Sequence, residues 1–290
     1  MLKKTISLPF CAFLAALLLC LLILARCHGT NAAAINGTVK ENAVPVLMYH
    51  HLLKKGENTR YTGNDIVTYT EDFAEQLAWL SRNGFQTITT AQLEAYLYEN
   101  GSLPPKPVMI TFDDGYLSNY VYGYPLLQSY GYTAVIFSVT SKIGENPEEF
   151  RPDRIQMLDR ETMSRCSPVF EFASHTDNLH KTSAPGHSAL TDSGRDVVAS
   201  DLKKSFAALS GYPNSSLTVF SYPYGFMNET VVQTLKDNGV RLAFRATGGR
   251  LTRKSDPYSL PRWPVSYKVS MEKFQSYFVE YFPTISQGTT

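Results

Sequence analysis

The alternation of short apolar runs with helical patterns is the feature of this chain that most constrains its fold. Residues 108–112 form a continuous apolar run between turn-forming residues, as expected of a strand that is covered on both faces. Residues 70–80 instead carry apolar side chains three and four positions apart, which predicts a helix capped by Thr70. Further strands are predicted at 46–49, 85–89, 134–139, 170–173, 217–221 and around 243, further helices at 91–98, 119–130, 196–210, 228–238 and 271–281, and a polar loop at 54–68. Strands that alternate with helices favour a parallel sheet with helices outside it, either closed as a barrel or open.

The first part of the chain, over 1–34, is predicted to be a targeting segment outside the folded domain. Two lysines precede an apolar run from about residue 8 to residue 25, which is the pattern of an export signal. The run is long enough to span a bilayer, whereas the three alanines at 32–34 offer the small residues that a signal peptidase needs. Cleavage and retention as an anchor both remain open. Lipidation of Cys27 is a third alternative, which the preceding Arg26 disfavours.

A short polar stretch over 35–43 is predicted to link this segment to one folded domain over 44–290. That length suits a single α/β domain of roughly 200–250 residues. Three of the four cysteines lie in or beside the apolar segment, so Cys166 alone remains in the domain and makes no internal disulfide. The formal net charge of +1 and the even spread of charges exclude a basic stripe suited to nucleic acid, which favours a neutral substrate.

Polar clusters follow four of the predicted strands at their carboxyl ends, where folds of this kind place their functional residues. The clusters are His50-His51, Asp113-Asp114, His175 with His180, and Tyr222-Pro223-Tyr224-Gly225. Because the carboxyl ends of parallel strands meet at one face, we expect these side chains to lie close together. The agreement of four separate clusters with one face predicts a functional site there.

Asp113 and Asp114 are adjacent carboxylates at the end of an apolar strand, and they repel each other unless a cation or a shared proton relieves them. A metal ion bound by one carboxylate would leave the other close enough to act as a general base. The alternative is an ordinary Asp-Gly turn with a helix cap.

His175 and His180 are five positions apart, so they converge on one ion only if the intervening loop brings them together. With a carboxylate from another strand end they would form the two-histidine, one-carboxylate set that suits catalytic Zn²⁺ or Co²⁺. The alternative is a surface coincidence of two histidines.

The remaining two clusters offer a hydrogen-bond donor and an acid. Pro223 stiffens its turn, so the backbone N–H of Tyr224 is available to stabilise an oxyanion, although an ordinary loop with two packed tyrosines fits the same residues. His50 or His51 can protonate a leaving amine, because an imidazole titrates near neutrality. A structural role for either histidine is the alternative.

These motifs together resemble those of the polysaccharide deacetylases, the carbohydrate esterases that carry a NodB homology domain. The resemblance covers about residues 44–265. Thr-Phe-Asp-Asp-Gly at 111–115 is similar to the first motif of the family, in which the first Asp is the catalytic base and the second a metal ligand. Residues 174–180 are similar to the second motif, which supplies two metal histidines. The long spacing between those histidines, and the sequence at 46–51, resemble the branch that includes deacetylases of exported poly-N-acetylglucosamine.

The chain departs from the family pattern in two places. Better-known members have Arg where this chain has Ser221, and Arg262 is the hypothesised replacement as partner of the catalytic Asp. No histidine follows His187, so the C-terminal Leu-x-His motif is absent. The resemblance to the permuted branch assigns the general acid to His50 instead, with His51 less favoured.

The resemblance implies a distorted (β/α) barrel of the polysaccharide deacetylase type, preceded by the N-terminal apolar segment. It implies a divalent ion, zinc before cobalt, nickel or manganese. The implied site, by role, is Asp114, His175 and His180 as metal ligands, Asp113, His50, Tyr224 and Arg262 as catalytic residues, and Tyr222 and Trp263 as substrate contacts.

The activity that the resemblance implies is hydrolysis of N-acetyl groups from an N-acetylglucosamine-containing polysaccharide, with release of acetate. Peptidoglycan or chitin oligomers, a non-sugar acetamide or ester, and an inactive carbohydrate-binding module are the alternatives. Loops over 145–165 and 181–195 are expected to set substrate choice. We expect a bacterial, extracytoplasmic monomer, secreted or anchored to the outer face of the cell membrane, with possible membrane contact confined to its N-terminus.

Overall fold

The computed structural model describes residues 43–166, 168–279 and 281–282. The predicted targeting segment over 1–34 lies outside the described residues, as does the predicted linker over 35–43 except for Ala43. Within the described ranges, no helix has both the length and the apolar character needed to cross a membrane.

Strands and helices alternate along most of the described chain, as the apolar pattern predicts. The strands are β1 Val46–Tyr49, β2 His51–Leu53, β3 Val67–Tyr69, β4 Gln86–Thr87, β5 Pro107–Asp114, β6 Ala134–Ser138, β7 Phe170–Ser174, β8 Thr182–Ala184, β9 His187–Ser188, β10 Ser215–Ser221, β11 Leu242–Phe244 and β12 Trp263–Pro264. The α-helices are α1 Thr70–Arg82, α2 Thr90–Tyr98, α3 Tyr124–Ser129, α4 Arg160–Cys166, α5 Ala189–Asp192, α6 Arg195–Leu209, α7 Glu229–Asp237 and α8 Met271–Val279.

Eight of these strands form one parallel sheet. Its order is β11-β10-β7-β6-β5-β1-β12, with β4 paired beside β5. Every pairing in the sheet is parallel, as expected where helices connect successive strands. The α/β class is therefore confirmed, and the sheet curves into a half-barrel.

The bridging segment over 260–265, which contains β12, pairs with β11 on one side and with β1 on the other. The N–H of Leu260 donates to the carbonyl of Ala243 in β11 at 3.0 Å, and the N–H of Val265 donates to the carbonyl of Met48 in β1 at 2.9 Å. Because successive side chains of an extended segment point to opposite faces, Arg262 enters the interior while its neighbour Trp263 faces outward.

Two apolar layers cover the two faces of the sheet. The inner layer is a cluster that includes Val46, Met109, Phe137, Val219, Phe244 and Leu260. The outer layer, beneath the helices, includes Leu47, Ile110, Phe112, Ile136, Phe170 and Phe172. Alternation along each strand thus fills the barrel interior with apolar side chains and leaves the positions beyond the strand ends for polar ones.

The structure differs from the sequence prediction mainly in short elements. Part of the predicted loop over 54–68 forms β3, which pairs with β2. The helix α1 begins at Thr70 rather than after it, with Tyr69 at the cap position and no side-chain capping bond. The two long loops contain α4, the β8–β9 hairpin and α5. These elements have two to seven residues, too few for an apolar period to be read.

Candidate active site

Strand alternation and the bridging segment bring four predicted site residues and Ser221 to one end of the barrel interior. Asp113 lies on the inner face of β5. Ser221 lies on the inner face of β10, and His175 directly follows β7 on the same face. Arg262 arrives from the bridging segment, and His50 shares the face of Val46 by the two-residue period of β1. The predicted convergence on one face is therefore observed for these residues.

Asp113 is held by a buried guanidinium. Arg262 Nη1 lies 2.6 Å from Asp113 Oδ1 and Arg262 Nη2 lies 2.7 Å from Asp113 Oδ2, and Arg262 is 0% exposed. The Arg262 fork is itself fixed, because its Nε donates to the carbonyl of Arg245 at 2.9 Å and its Nη2 donates to Ser221 Oγ at 2.8 Å. The structure thus places the guanidinium beside Asp113 although Ser221 stands where the family pattern has Arg.

Asp114 and the two histidines form a second group beside this pair. Asp114 Oδ1 lies 3.1 Å from His180 Nε2 and 3.8 Å from His175 Nε2. Its Oδ2 accepts a bond of 2.8 Å from the hydroxyl of Tyr116. Asp114 adopts a left-handed backbone conformation with φ of 73°, which ends the strand pattern and turns its side chain beside that of Asp113.

The loop between the histidines is held in the bent form that their convergence requires. The carboxylate of Asp201, from α6, accepts the backbone N–H groups of Asp177 and Asn178 at 2.7 and 2.8 Å. Thr176, at the start of the bend, has a positive φ of 73°. This β-branched residue is strained in that conformation, as is common at functional sites.

The orientation of each imidazole leaves its Nε2 free to act as a ligand. His175 Nδ1 lies 2.9 Å from the carbonyl oxygen of Ser221, and since a carbonyl only accepts, Nδ1 carries the proton. His180 Nδ1 lies 3.3 Å from the hydroxyl of Tyr224. A second hydrogen bond of this kind commonly orients histidines that bind metal.

The protonation states suit a metal site. Burial lowers the pKa of His175, and the charges of Asp113 and Asp114 only partly offset this effect. Burial, followed by the nearby His175, lowers the pKa of His180 to about 4. Burial raises the pKa of Asp113, but the charge of Arg262 outweighs it and holds that pKa below its ordinary range. At neutral pH both imidazoles are therefore neutral and Asp113 is ionised.

The donor set fits a divalent cation. The ligand atoms of Asp114, His175 and His180 all lie within 4.8 Å of one another, and Asp114 Oδ1 is buried without a hydrogen-bond partner. Arg262 compensates the charge of Asp113 alone, so one buried negative charge remains for a cation to neutralise. Two histidines and one carboxylate leave further coordination positions open, as catalytic zinc sites do.

The two candidate acids occupy different environments. His51 is fully buried, with its Nδ1 2.7 Å from Ser118 Oγ, and burial lowers its pKa to about 4. His50 is half-buried and lies near enough to Asp113 and Asp114 for its charge to act on both. His50 is thus the more exposed of the two candidate acids, and its charge acts on both carboxylates.

Two predicted substrate contacts are wrong. Tyr222 is 0% exposed, and its hydroxyl donates to the carbonyl of Tyr258 at 2.9 Å within the packing between β10 and the helices, so it does not reach the cleft. Trp263 leaves the bridging segment on the face opposite Arg262 and stacks on Tyr277 of α8, with ring centroids 4.6 Å apart. It belongs to the outer layer rather than to a wall of the site.

Tyr224 lies at the mouth of the site. Its side chain is 41% exposed, and its ring lies 4.7 Å from that of His180. Tyr224 has a positive φ of 59°, so the turn after β10 presents this residue at the surface in a strained conformation. The exposed ring continues into that of Phe226, 6.1 Å away.

Phe226 is a candidate contact that the sequence reasoning missed. It lines a cavity of about 550 Å³ together with His187, Asn228 and Arg245, and a second of about 430 Å³ with Tyr224 and the β8–β9 hairpin. Both volumes fall within the range of about 300–1,000 Å³ that is typical of ligand sites. The hairpin lies in the loop over 181–195, which was expected to set substrate choice.

The other long loop supports the metal side of the site. The N–H of Leu117 donates to the carbonyl of Gln156 at 2.8 Å, and the N–H of Leu158 donates to the carbonyl of Gly115 at 2.9 Å. The loop over 145–165 therefore pairs with the chain that directly follows Asp114.

Comparison with known proteins finds a matching family model and several relatives. The polysaccharide deacetylase family model matches residues 100–243, which include Asp113, Asp114, His175 and His180. A poly-beta-1,6-N-acetyl-D-glucosamine N-deacetylase of Staphylococcus aureus is 29% identical over 239 residues, covering 78% of this chain and 80% of the relative. The enzyme of the same description from Staphylococcus epidermidis is 27% identical over 266 residues, covering 85% and 90%.

Solved structures share the fold. The structure of IcaB from Ammonifex degensii aligns with a TM-score of 0.68 at 25% identity, over 82% of this chain and 97% of that one. Streptococcus pyogenes deacetylase PplD aligns with a TM-score of 0.67 at 22% identity, over 81% and 98%, which shows the fold alone. The chain contains a polysaccharide deacetylase domain, as its motifs predict, and is homologous to poly-beta-1,6-N-acetyl-D-glucosamine deacetylases.

Proposed function

We propose that this protein is a metal-dependent hydrolase that removes N-acetyl groups from an N-acetylglucosamine-containing polysaccharide and releases acetate. The observation that carries the proposal is the juxtaposition of two largely buried groups at one end of the barrel interior. One is the donor set of Asp114, His175 and His180, and the other is Asp113 with its Arg262 partner. The relatives named above are described as deacetylases of such a polymer.

Asp114, His175 and His180 would hold the ion. A divalent ion there would supply Lewis-acid polarisation of the acetamide carbonyl and would acidify the attacking water. Zinc is the ion that we propose, because its usual catalytic sites combine nitrogen and oxygen ligands in this number and leave a position open.

Asp113 is the proposed general base. The Arg262 pair keeps its carboxylate ionised, so it is ready to accept the proton that the water loses as it attacks the carbonyl carbon. A base held on two atoms by Arg262 is also fixed in orientation, which lowers the cost of reaching the reactive arrangement.

Tyr224 and His50 are proposed to act on the other reaction partners. The backbone N–H of Tyr224 would donate to the oxyanion that forms as water adds to the carbonyl. His50 would then protonate the sugar nitrogen as the carbon–nitrogen bond breaks, so that the products are acetate and a free amine. Its half-buried position, near enough to both carboxylates for its charge to act on them, supports this role.

A neutral polymer is the substrate class that the surroundings favour. Tyr224 and Phe226 present neighbouring aromatic faces beside two cavities, and aromatic rings suit stacking on the apolar faces of sugars. Residues 44–290 are proposed to act as the catalytic domain, as a monomer. The N-terminal segment is proposed to carry it outside the cytoplasm of a bacterial cell.

Acetate release by the purified full chain from N-acetylglucosamine oligomers tests this proposal. The protein is first treated with a chelator and then supplied with single divalent ions. We expect release to stop on chelation and to return best with zinc. Absence of release with every ion, in protein that demonstrably binds one, would refute the proposed activity.

A further inference from the structure

We propose that Tyr116 is a positioning residue for the metal site, which fixes the Asp114 carboxylate so that its Oδ1 alone faces the ion. This inference rests on the proposed metal-dependent function. It concerns a residue beyond the assigned ligands and catalytic groups.

The two oxygens of Asp114 are in different environments. Oδ2 accepts a bond of 2.8 Å from the Tyr116 hydroxyl, whereas Oδ1 is buried without a hydrogen-bond partner and lies 3.1 Å from His180 Nε2. A carboxylate whose second oxygen is bound to a donor cannot rotate freely, and its unpaired oxygen points at the histidines. The hydroxyl thus selects which oxygen of Asp114 becomes the ligand.

Backbone pairing and burial hold Tyr116 in a fixed position beside Asp114. Its backbone lies in a short antiparallel bridge to Met157, flanked by the hydrogen bonds that join Gly115 and Leu117 to the loop over 145–165. The side chain is 7% exposed. Tyr116 is therefore fixed through its backbone, and its side chain is buried.

A second buried side chain packs against the ring. His51 lies with its ring centroid 5.0 Å from that of Tyr116 at an interplanar angle of 35°, and it is itself bound to Ser118 Oγ at 2.7 Å. This contact gives His51 a structural role behind the metal site. The support for Asp114 therefore extends from Tyr116 to β2 and to the chain after β5.

The phenolic hydroxyl is removed by Tyr116→Phe in the full chain. The probe is zinc alone, and its dissociation constant is measured by competition with a chromophoric chelator. We expect zinc to bind about 10-fold more weakly, within the range of about 10–100-fold seen when partners of metal ligands are removed. The visible spectrum of the cobalt-loaded variant should also change, because the freed carboxylate is able to bind through both oxygens.

Tyr132→Phe is the matched control. Tyr132 is also buried, and its hydroxyl donates to the carbonyl of Phe85 at 2.9 Å, away from the site. It should lose a similar amount of thermal stability without a change in zinc affinity. A Tyr116→Phe protein whose zinc affinity stays within twofold of the wild type would overturn the proposal.

A second pair of variants keeps the test decisive if the phenylalanine variant does not fold. Tyr116→Gln and Tyr116→Met have side chains of similar length, but only the glutamine offers an N–H donor. The proposal requires tighter zinc binding by the glutamine variant, and equal affinities would contradict it. Acetate release by the wild type is measured separately, so a protein that binds zinc through this arrangement without releasing acetate would refute only the proposed function.

Discussion

Arg262 and Asp113 form a buried ion pair in which the two terminal guanidinium nitrogens bind the two carboxylate oxygens at 2.6 and 2.7 Å. Arg262 lies on the bridging segment, and Asp113 lies near the end of β5. The ion pair therefore connects the bridging segment to β5, the strand that carries the proposed catalytic base. Changes to Arg262 should affect both folding and chemistry.

Arg262→Ala should lower the free energy of unfolding by about 3–5 kcal/mol, because it leaves the buried charge of Asp113 uncompensated. Urea unfolding at neutral pH measures this loss. Arg160→Ala is the control, since Arg160 pairs with Glu145 at 3.1 Å on the exposed surface, where a pair is worth about 0–1 kcal/mol. Equal losses in the two variants would contradict the account of the buried pair.

His50→Gln should reduce acetate release from N-acetylglucosamine oligomers by about 10²–10⁴-fold, the usual contribution of an acid catalyst. The same variant should hydrolyse p-nitrophenyl acetate almost as fast as the wild type, because that leaving group departs without a proton. Zinc content and thermal unfolding, which should match those of the wild type, are the controls for loss of the ion or of the fold. Parallel losses on both substrates would rule out the acid role of His50.

His51 should make the stability of the protein depend on pH. Burial lowers the pKa of His51 from its ordinary value of 6.5 to about 4, so between these values the unfolded chain binds a proton that the folded chain does not. Its contribution is present above pH 6.5 and is lost as pH falls toward 4. Unfolding free energies of wild type and His51→Gln across this interval should differ in slope, by at most about 1.4 kcal/mol per pH unit. Identical slopes would contradict the burial effect.

Phe226→Ala should weaken turnover of N-acetylglucosamine tetramers more than turnover of a small acetyl ester. One stacked ring is worth about 0.5–1.5 kcal/mol beyond its buried area, so kcat/KM for the tetramer should fall about 3–10-fold. Phe206→Ala removes a half-buried ring from α6 outside both cavities and serves as the control. An equal decrease in kcat/KM for both substrates would show that Phe226 does not bind the oligosaccharide.

Much of this site was predictable because the carboxyl ends of parallel strands lie at the same edge of a sheet. Asp114 follows one predicted strand, and His175 with His180 follows another. Because parallel strands end at one edge, the approach of the carboxylate to this pair needed no knowledge of side-chain positions. The same counting would have excluded Tyr222. In β10, Val219 and Ser221 face inward, so the next residue faces outward into the helix layer.

Other features required the three-dimensional structure. β12 has only two residues, which is too short for alternation to show that Arg262 faces inward and Trp263 outward. Asp114 and Gly115 have positive φ values of 73° and 85°, so the strand period stops before Tyr116 and gives no direction for its side chain. The pairing of Tyr116 with the loop over 145–165 joins residues that are distant in sequence and lack a shared pattern.

The central claim, that adjacent aspartates perform different tasks, is tested most directly by acetate release from zinc-loaded Asp113→Asn. Asparagine keeps the shape of the side chain but cannot accept the proton, and Asp114, His175 and His180 remain to hold the ion. We predict one bound zinc per chain and acetate release reduced by at least about 10²-fold. Loss of zinc from this variant, or acetate release at the wild-type rate, would contradict the assignment of Asp113 as the base and Asp114 as the ligand.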